Sequence, residues 1–215
     1  MRISAAAKQQ TRARILTAAR ELFGAEGFGA ATTRDVATAA GIATGTLFNY
    51  FTSKESLGMT LVAEALEGAQ ADFAAKRRGD ESLEEDLFAH VMAGLHRLLP
   101  HRAWVGAVLE TACTPLGTSP ACVEGAAVQE AHLTQVSDLI ASHRGGATPS
   151  FVSLHLYWTL YLGLLSFWSR DETSRPGQHG EQALVLIDRS LRLFVASLDG
   201  ADGQSAADAT QGAAP

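Results

Sequence analysis

The chain has 215 residues, 47% of them hydrophobic and 19% charged, with a formal net charge of −6, which is typical of a soluble globular protein. Two cysteines, Cys113 and Cys122, lack the spacing of a zinc site or a disulfide framework, so those classes are excluded. The first residues, MRISAAAKQQTR, lack the apolar core of a signal peptide, and we expect a cytoplasmic protein.

Charge is unevenly distributed. Residues 1–55 carry seven Lys/Arg against four Asp/Glu, whereas residues 56–215 carry ten against nineteen. A small basic excess suits contact with phosphate, and the acidic remainder would repel nucleic acid. A solvated face with a few extra arginines would give the same count, so the signal is weak.

The first helices are short and are separated by glycines. Apolar spacing predicts a helix over residues 12–25, which Gly27 ends. Thr32 or Thr33 caps a second helix that ends at Gly41. The stretch TGTLFNYFTSKE, residues 44–55, then predicts a third short helix.

Longer helices follow, and abundant Ala, Leu and Glu/Arg favour helices over strands throughout. The predicted helices cover residues 54–78, 82–98, 104–113, 120–143, 151–168 and 181–198. The low-complexity residues 199–215 are expected to form a disordered tail.

The predicted helix 151–168 contains eighteen residues without Lys, Arg, Asp or Glu. That length is close to the minimum for a membrane span. His155 and three Ser/Thr residues lower its hydrophobicity, and no basic cluster flanks it. We therefore favour a helix covered by its own domain on one side and by another subunit on the other, with no membrane association.

The order short helix, glycine turn, short helix is that of a helix-turn-helix, whose second helix enters the DNA major groove. Small residues at its start would let the backbone approach base edges. Leu47, Phe48 and Phe51 are expected to pin this helix to the preceding two, while Tyr50 and Lys54 lie where a phosphate strand would pass. A compact helical corner with polar residues facing water is the alternative.

From residue 12 to 57 the sequence resembles the tetracycline-repressor (TetR) family of bacterial regulators, through ILTAARELF, GF and TTRDVATAAGIATGTLFNYFTSKESL. The resemblance implies an all-α fold of about nine helices. An N-terminal three-helix helix-turn-helix DNA-binding domain (1–55) would precede a larger C-terminal helical domain for ligand binding and dimerisation (56–198). It also implies a homodimer formed through helices 151–168 and 181–198.

The resemblance assigns DNA contacts residue by residue. The positions that match are Thr33, Arg34, Thr44, Gly45, Thr46, Asn49, Tyr50 and Lys54. Phe48 stands where the family usually has Tyr, so a phosphate hydrogen bond is absent. Ala43 stands where Ser is frequent before the recognition helix, which leaves capping to Thr44 or to water.

Large apolar or amphipathic residues of the middle helices are candidates for an effector pocket. They are His96, Trp104, Cys113, Trp158, Tyr161 and Phe167. For each of them a place in the core is the competing interpretation. Oxidant sensing by Cys113 or Cys122 is disfavoured because no basic neighbour in sequence lowers a thiol pKa.

Together with these features, the resemblance implies a ligand-responsive transcriptional repressor that would bind a palindromic operator as a homodimer and be released by a small, largely apolar effector. In the alternative, the C-terminal domain only dimerises or answers to a protein partner. An enzyme is not supported, because the sequence has no phosphate-cradling glycine loop, metal-spaced ligand set or nucleophile elbow. No cofactor or metal is expected.

Overall fold

The computed structural model describes residues 4–112, 122–173 and 178–211, with side chains as far as residue 198. Over these residues the chain forms nine α-helices, a short 3-10 segment at Leu99–His101 and no strand, which confirms the all-α prediction. The helices are α1 (Ala5–Glu26), α2 (Thr33–Ala39), α3 (Thr44–Leu47), α4 (Lys54–Lys76), α5 (Leu83–Leu98), α6 (Arg102–Ala112), α7 (Val123–His143), α8 (Phe151–Arg170) and α9 (Glu181–Gln211).

The described residues divide into two compact units. Unit 1 comprises residues 4–67, 98–112 and 122–128, and unit 2 comprises residues 68–97, 129–173 and 178–211. The sequence-based boundary after residue 55 falls inside unit 1. The first turns of α4 and the whole of α6 therefore belong to the same compact body as the first three helices.

Helix α1 provides one wall of the core of unit 1. It begins at Ala5, earlier than predicted, because the Ser4 hydroxyl accepts a hydrogen bond from the Ala7 amide at 3.2 Å and caps the helix. Phe23, near its end, is fully buried. The Phe23 ring meets the rings of Phe28 and Trp104 edge-on, at centroid distances of 5.1 and 5.4 Å. These contacts join α1 to α6.

Helix α4 approaches α6 closely at Gly58. A Cβ atom placed there would lie 2.8 Å from Val108 Cγ2 and 3.3 Å from the Phe28 ring, too close for any side chain without a shift. Two residues earlier, the buried Ser56 hydroxyl donates to Glu124 Oε1 at 2.6 Å. Unit 1 is thus held together by packing around a glycine and by a hydrogen bond to the first turn of α7.

The core of unit 2 has a polar centre. His132 stacks on Tyr161 at 4.1 Å between ring centroids, and its Nε2 atom lies 3.1 Å from the Tyr157 hydroxyl. The ring of His90 lies 5.1 Å from that of His132. Burial lowers the pKa of His90 to about 4 and the pKa of His132 well below its usual value. Both rings are therefore neutral at physiological pH.

Helix α8 is partly exposed in the single chain. Of the part of the chain that the structure describes, α8 alone is long and apolar enough to cross a membrane, with a mean hydropathy of 1.2 over its best window, 39% of which is buried. Core helices of soluble proteins have the same length and composition. Tyr157, Trp158 and Trp168 face the core of unit 2, while Phe151 and Val152 are exposed.

Helix α9 runs on to Gln211, so the predicted helix end at Leu198 is wrong. The segment beyond Leu198 was expected to be disordered but is helical as far as it is described. Alanine is the strongest helix former, and extending an existing helix fixes only one residue at a time. These two effects outweigh Gly200 and Gly203.

Candidate nucleic-acid interface

Helix α2 begins with a reciprocal cap. The Asp35 amide donates to Thr32 Oγ1 at 3.2 Å, and the Thr32 amide donates to Asp35 Oδ2 at 3.1 Å. Hydrogen bonds from Thr32 lower the pKa of Asp35, which therefore stays ionised. The cap places Thr33, half-buried, and Arg34, exposed, in the first turn of the helix.

A glycine turn separates α2 from α3, as predicted. Gly41 has a φ of 66°, a left-handed conformation that side chains disfavour, and the next amide, of Ile42, donates to Ala37 O at 3.0 Å. Ala43 caps α3 without a side-chain hydrogen bond. The expected lack of a capping hydroxyl at this position is therefore observed.

Helix α3 is a single turn, and further turns follow it to Tyr50. Leu47 is fully buried and Phe51 is 3% exposed, so these two residues pin the turn to the core as predicted. The prediction was wrong for Phe48, which is 48% exposed. Successive residues on a helix point about 100° apart, so Phe48 turns away from the core that Leu47 enters.

We call residues 44–50 the recognition segment. The predicted contact residues within it are accessible: Gly45 and Asn49 are exposed, and Thr44, Thr46 and Tyr50 are half-buried. A Cβ atom at Gly45 would meet nothing within 4 Å. The recognition segment therefore presents small polar side chains, an open glycine and one phenyl ring to solvent.

Lys54 has a structural role that the sequence did not suggest. Its Nζ atom donates to the carbonyl oxygens of Phe28, Ala31 and Gly29 at 2.7, 3.1 and 3.4 Å. The same atom lies 4.5 Å from the centroid of the Phe28 ring. The ammonium group thus holds the loop between α1 and α2, and a phosphate would have to compete with these carbonyls.

A second missed feature links α1 to α4. Glu64 lies 3.3 Å from Arg12 and 3.7 Å from Arg20, and the Arg12 guanidinium lies 5.5 Å from the centroid of the Phe51 ring. Exposed ion pairs contribute little to stability individually. The two ion pairs to Glu64 nevertheless place Arg12 and Arg20 of α1 against α4. Because the partners are distant in sequence, no local pattern could have revealed them.

The predicted effector-pocket residues lie in different places. In unit 2, the rings of Trp158 and Tyr161 lie 5.8 Å apart in the core, next to His132. Trp104 belongs to unit 1, and its Nε1 atom is buried without a hydrogen-bond partner. Cys113 lies outside the described residues. Phe167 is 40% exposed and lines a surface groove with Arg170.

His96 lines a cleft of about 440 Å³ in unit 2. Its apolar lining comes from Phe73, Phe88 and Met92, and charged side chains including Lys76 surround them. The sequence patterns did not single out this cleft, because its apolar residues lie on two helices that the sequence alone does not align. It is large enough for a small molecule with an apolar body.

Cys122 is a poor candidate for an oxidant sensor. Burial raises the pKa of its thiol, and the nearby Glu124 and Glu55 carboxylates raise it further. The Gly125 amide donates to its sulfur at 3.3 Å. No cluster of three or more metal-ligating side chains occurs in the described parts of the chain.

Comparison with known proteins agrees with this geometry. Residues 15–58, from the middle of α1 into α4, match the family model described as bacterial regulatory proteins, tetR family. The N-terminal region of the chain is therefore similar to the DNA-binding region of TetR-family regulators. The chain is 42% identical over 65 residues to the HTH-type transcriptional regulator UidR of Escherichia coli K12, a match covering 30% of the chain and 33% of UidR.

Solved structures share the fold over most of the chain. The fatty acid degradation regulator FadR from Bacillus halodurans superposes with a TM-score of 0.60 and 16% identity, covering 92% of this chain and 98% of its own. Thermus thermophilus FadR, a TetR-family repressor solved with lauroyl-CoA, superposes with a TM-score of 0.60 and 22% sequence identity. This match covers 86% of this chain and 93% of the FadR chain. At these identities the likeness establishes the fold alone.

Replacing Lys54 by Ala is expected to destabilise the protein in the absence of DNA. The loop between α1 and α2 would lose three hydrogen bonds to a charged donor, which predicts a loss of about 1.5–3 kcal/mol in the free energy of unfolding. Urea denaturation followed by circular dichroism measures this change. Lys8→Ala, at an exposed position of α1, is the control and is expected to change stability by less than about 0.5 kcal/mol. Equal stability of the two variants would contradict the assigned role of Lys54.

Proposed function

We propose that this TetR-family protein is a ligand-responsive transcriptional repressor that binds a palindromic operator as a homodimer. The observation that carries the proposal is the recognition segment, which is anchored by Leu47 and Phe51 and leaves small polar residues accessible. A surface of this kind fits the major groove, where base edges carry the sequence information. The protein would act in the cytoplasm as a regulator, with no enzymatic role and no cofactor.

The DNA contacts divide by side-chain chemistry. Thr44, Thr46 and Asn49 can hydrogen-bond to base edges, and Gly45 allows the backbone to approach. The exposed guanidinium of Arg34 and the hydroxyls of Thr33 and Tyr50 suit phosphate oxygens. The charge of Lys54 would add to the positive field while its hydrogen bonds hold the loop between α1 and α2.

Exposed apolar side chains on α8 and α9 support the homodimer. Large hydrophobic residues rarely remain exposed in clusters on monomeric soluble proteins. The exposed ones are Phe151, Val152, Leu156 and Phe167 on α8 and Val185, Leu186 and Leu193 on α9. A second copy of the chain would cover them. Two recognition segments would then meet half-sites about one DNA turn apart.

We further propose that unit 2 binds a small, largely apolar effector. The cleft beside His96, with its Phe73, Phe88 and Met92 lining, supports this assignment. Thermus thermophilus FadR, which has a similar fold, was solved in complex with lauroyl-CoA, and this supports an effector with an apolar part. Release from DNA requires the effector to bind the DNA-incompetent arrangement more tightly, because only that difference in affinity shifts the equilibrium.

Titration of the protein with the DNA upstream of its own gene tests the proposal. We expect a palindromic site occupied by two protomers, with an affinity that falls at least about 100-fold between about 50 and 200 mM salt, because Lys and Arg displace condensed counterions. Affinity independent of salt would contradict DNA binding through phosphates.

The Leu193→Asp variant tests whether operator binding depends on the dimer, and Ala131→Asp is its control. This charge in the exposed stripe of α9 is expected to give a monomer and to weaken operator binding, while Ala131→Asp at an exposed position of α7 should leave both unchanged. Dimers of unchanged stability in Leu193→Asp would contradict an interface formed by α9. Sedimentation velocity measures the outcome.

A thermal-shift screen with fatty acyl-CoA thioesters and apolar drugs tests the effector. A ligand at about 100 times its Kd stabilises the folded state by about 2.7 kcal/mol, so a Tm increase of about 5–10 °C is expected. The same ligand must weaken operator binding. If compounds raise Tm but leave operator affinity unchanged, or if none raises Tm, then unit 2 only dimerises or answers to a protein partner.

A further inference from the structure

Phe48 is an exposed aromatic residue within the recognition segment. It caps the C-terminus of α3, where its amide is directed to the carbonyls of Thr44 and Thr46, and 48% of it is accessible. In the described residues of unit 1, the exposed large apolar side chains are Phe48 and Val123. The fold gives no reason for a phenyl ring at position 48, because Leu47 and Phe51 already fill the core beneath it.

Gly45 lies three residues before Phe48, and residues at this spacing are neighbours on a helix surface. A glycine weakens a helix, so it usually has a conformational or packing reason. Neither applies here. The φ of Gly45 is not positive, and an added Cβ would meet nothing within 4 Å. Gly45 thus leaves open space beside the exposed Phe48 ring, where a body outside the chain can approach the backbone closely.

In the proposed function the approaching body is DNA, and the chemistry of the major groove determines which DNA group lies against the Phe48 ring. Base edges there carry hydrogen-bond donors and acceptors and a single kind of apolar group, the C5-methyl of thymine. Thr44 and Asn49 can satisfy polar groups, but the phenyl ring cannot. A ring without a hydroxyl also cannot donate a hydrogen bond to a phosphate.

We propose that Phe48 of each protomer reads the C5-methyl group of one thymine in each operator half-site. This inference rests on the proposed function, and it adds a specificity-determining residue to the contacts named there. The contact is apolar and carries no charge, so it contributes to sequence preference without changing the salt dependence of binding.

Deoxyuridine substitution tests the contact directly, since uracil keeps the hydrogen-bonding groups of thymine and lacks only the methyl. A duplex is first selected from a random library by the full-length protein, and its thymines are then replaced by deoxyuridine in symmetry-related pairs. Burying one methyl-sized group corresponds to about a fourfold change in an equilibrium constant. One pair of substitutions should therefore weaken wild-type binding by about 15-fold.

The Phe48→Ala variant should bind the thymine and deoxyuridine duplexes of that pair equally, and Phe48→Leu should keep part of the difference. Val123→Ala, which truncates the other exposed apolar side chain, should reproduce the wild-type profile. Circular dichroism confirms that each variant is folded.

Two results would overturn the inference. One is a deoxyuridine profile of Phe48→Ala that matches the wild type. The other is tighter binding by Phe48→Tyr that no longer distinguishes the thymine and deoxyuridine duplexes, which would place the ring at a phosphate. If the library yields no duplex, the proposed function itself fails, and this inference fails with it.

Discussion

The ammonium group of Lys54 holds the loop that precedes the helix-turn-helix. It binds three carbonyl groups of the loop between α1 and α2, and this loop leads directly into the capped start of α2. Gly58, one turn further along α4, lets the same helix press against Val108 of α6. The first turns of α4, the loop, the recognition segment and α6 all belong to unit 1.

The two units use their polar groups in opposite ways. Unit 1 leaves Arg34 and the recognition segment accessible to solvent. In the proposed function, DNA replaces the water around these residues. Unit 2 buries His90 and His132 among aromatic rings and keeps them uncharged by desolvation. A buried neutral pair of this kind ties the core together through stacking and the hydrogen bond to Tyr157. Unit 2 leaves apolar surface exposed on α8 and α9, which a second copy covers in the proposed homodimer.

Sequence patterns predicted the helical fold, the glycine turn at Gly41 and the anchoring of α3 by Leu47 and Phe51, because each depends on local spacing and backbone conformation. They failed for Phe48, because the two consecutive apolar positions Leu47 and Phe48 do not reveal which of them faces the core of a one-turn helix. They also missed the contact between Lys54 and the loop, since carbonyl groups leave no trace in side-chain patterns. Composition indicated disorder beyond Leu198, but extension of the existing α9 helix is favourable enough to continue through that segment.

Hydrogen exchange, compared between free protein and protein saturated with operator duplex, tests the central claim most directly. In the proposed function, the surface built by residues 33–50 of unit 1 meets DNA. Amide exchange should slow in peptides covering residues 33–50, with smaller protection in residues 102–112 of α6. Slowed exchange confined to residues 129–173 or 178–198, with residues 33–50 unchanged, would contradict the account.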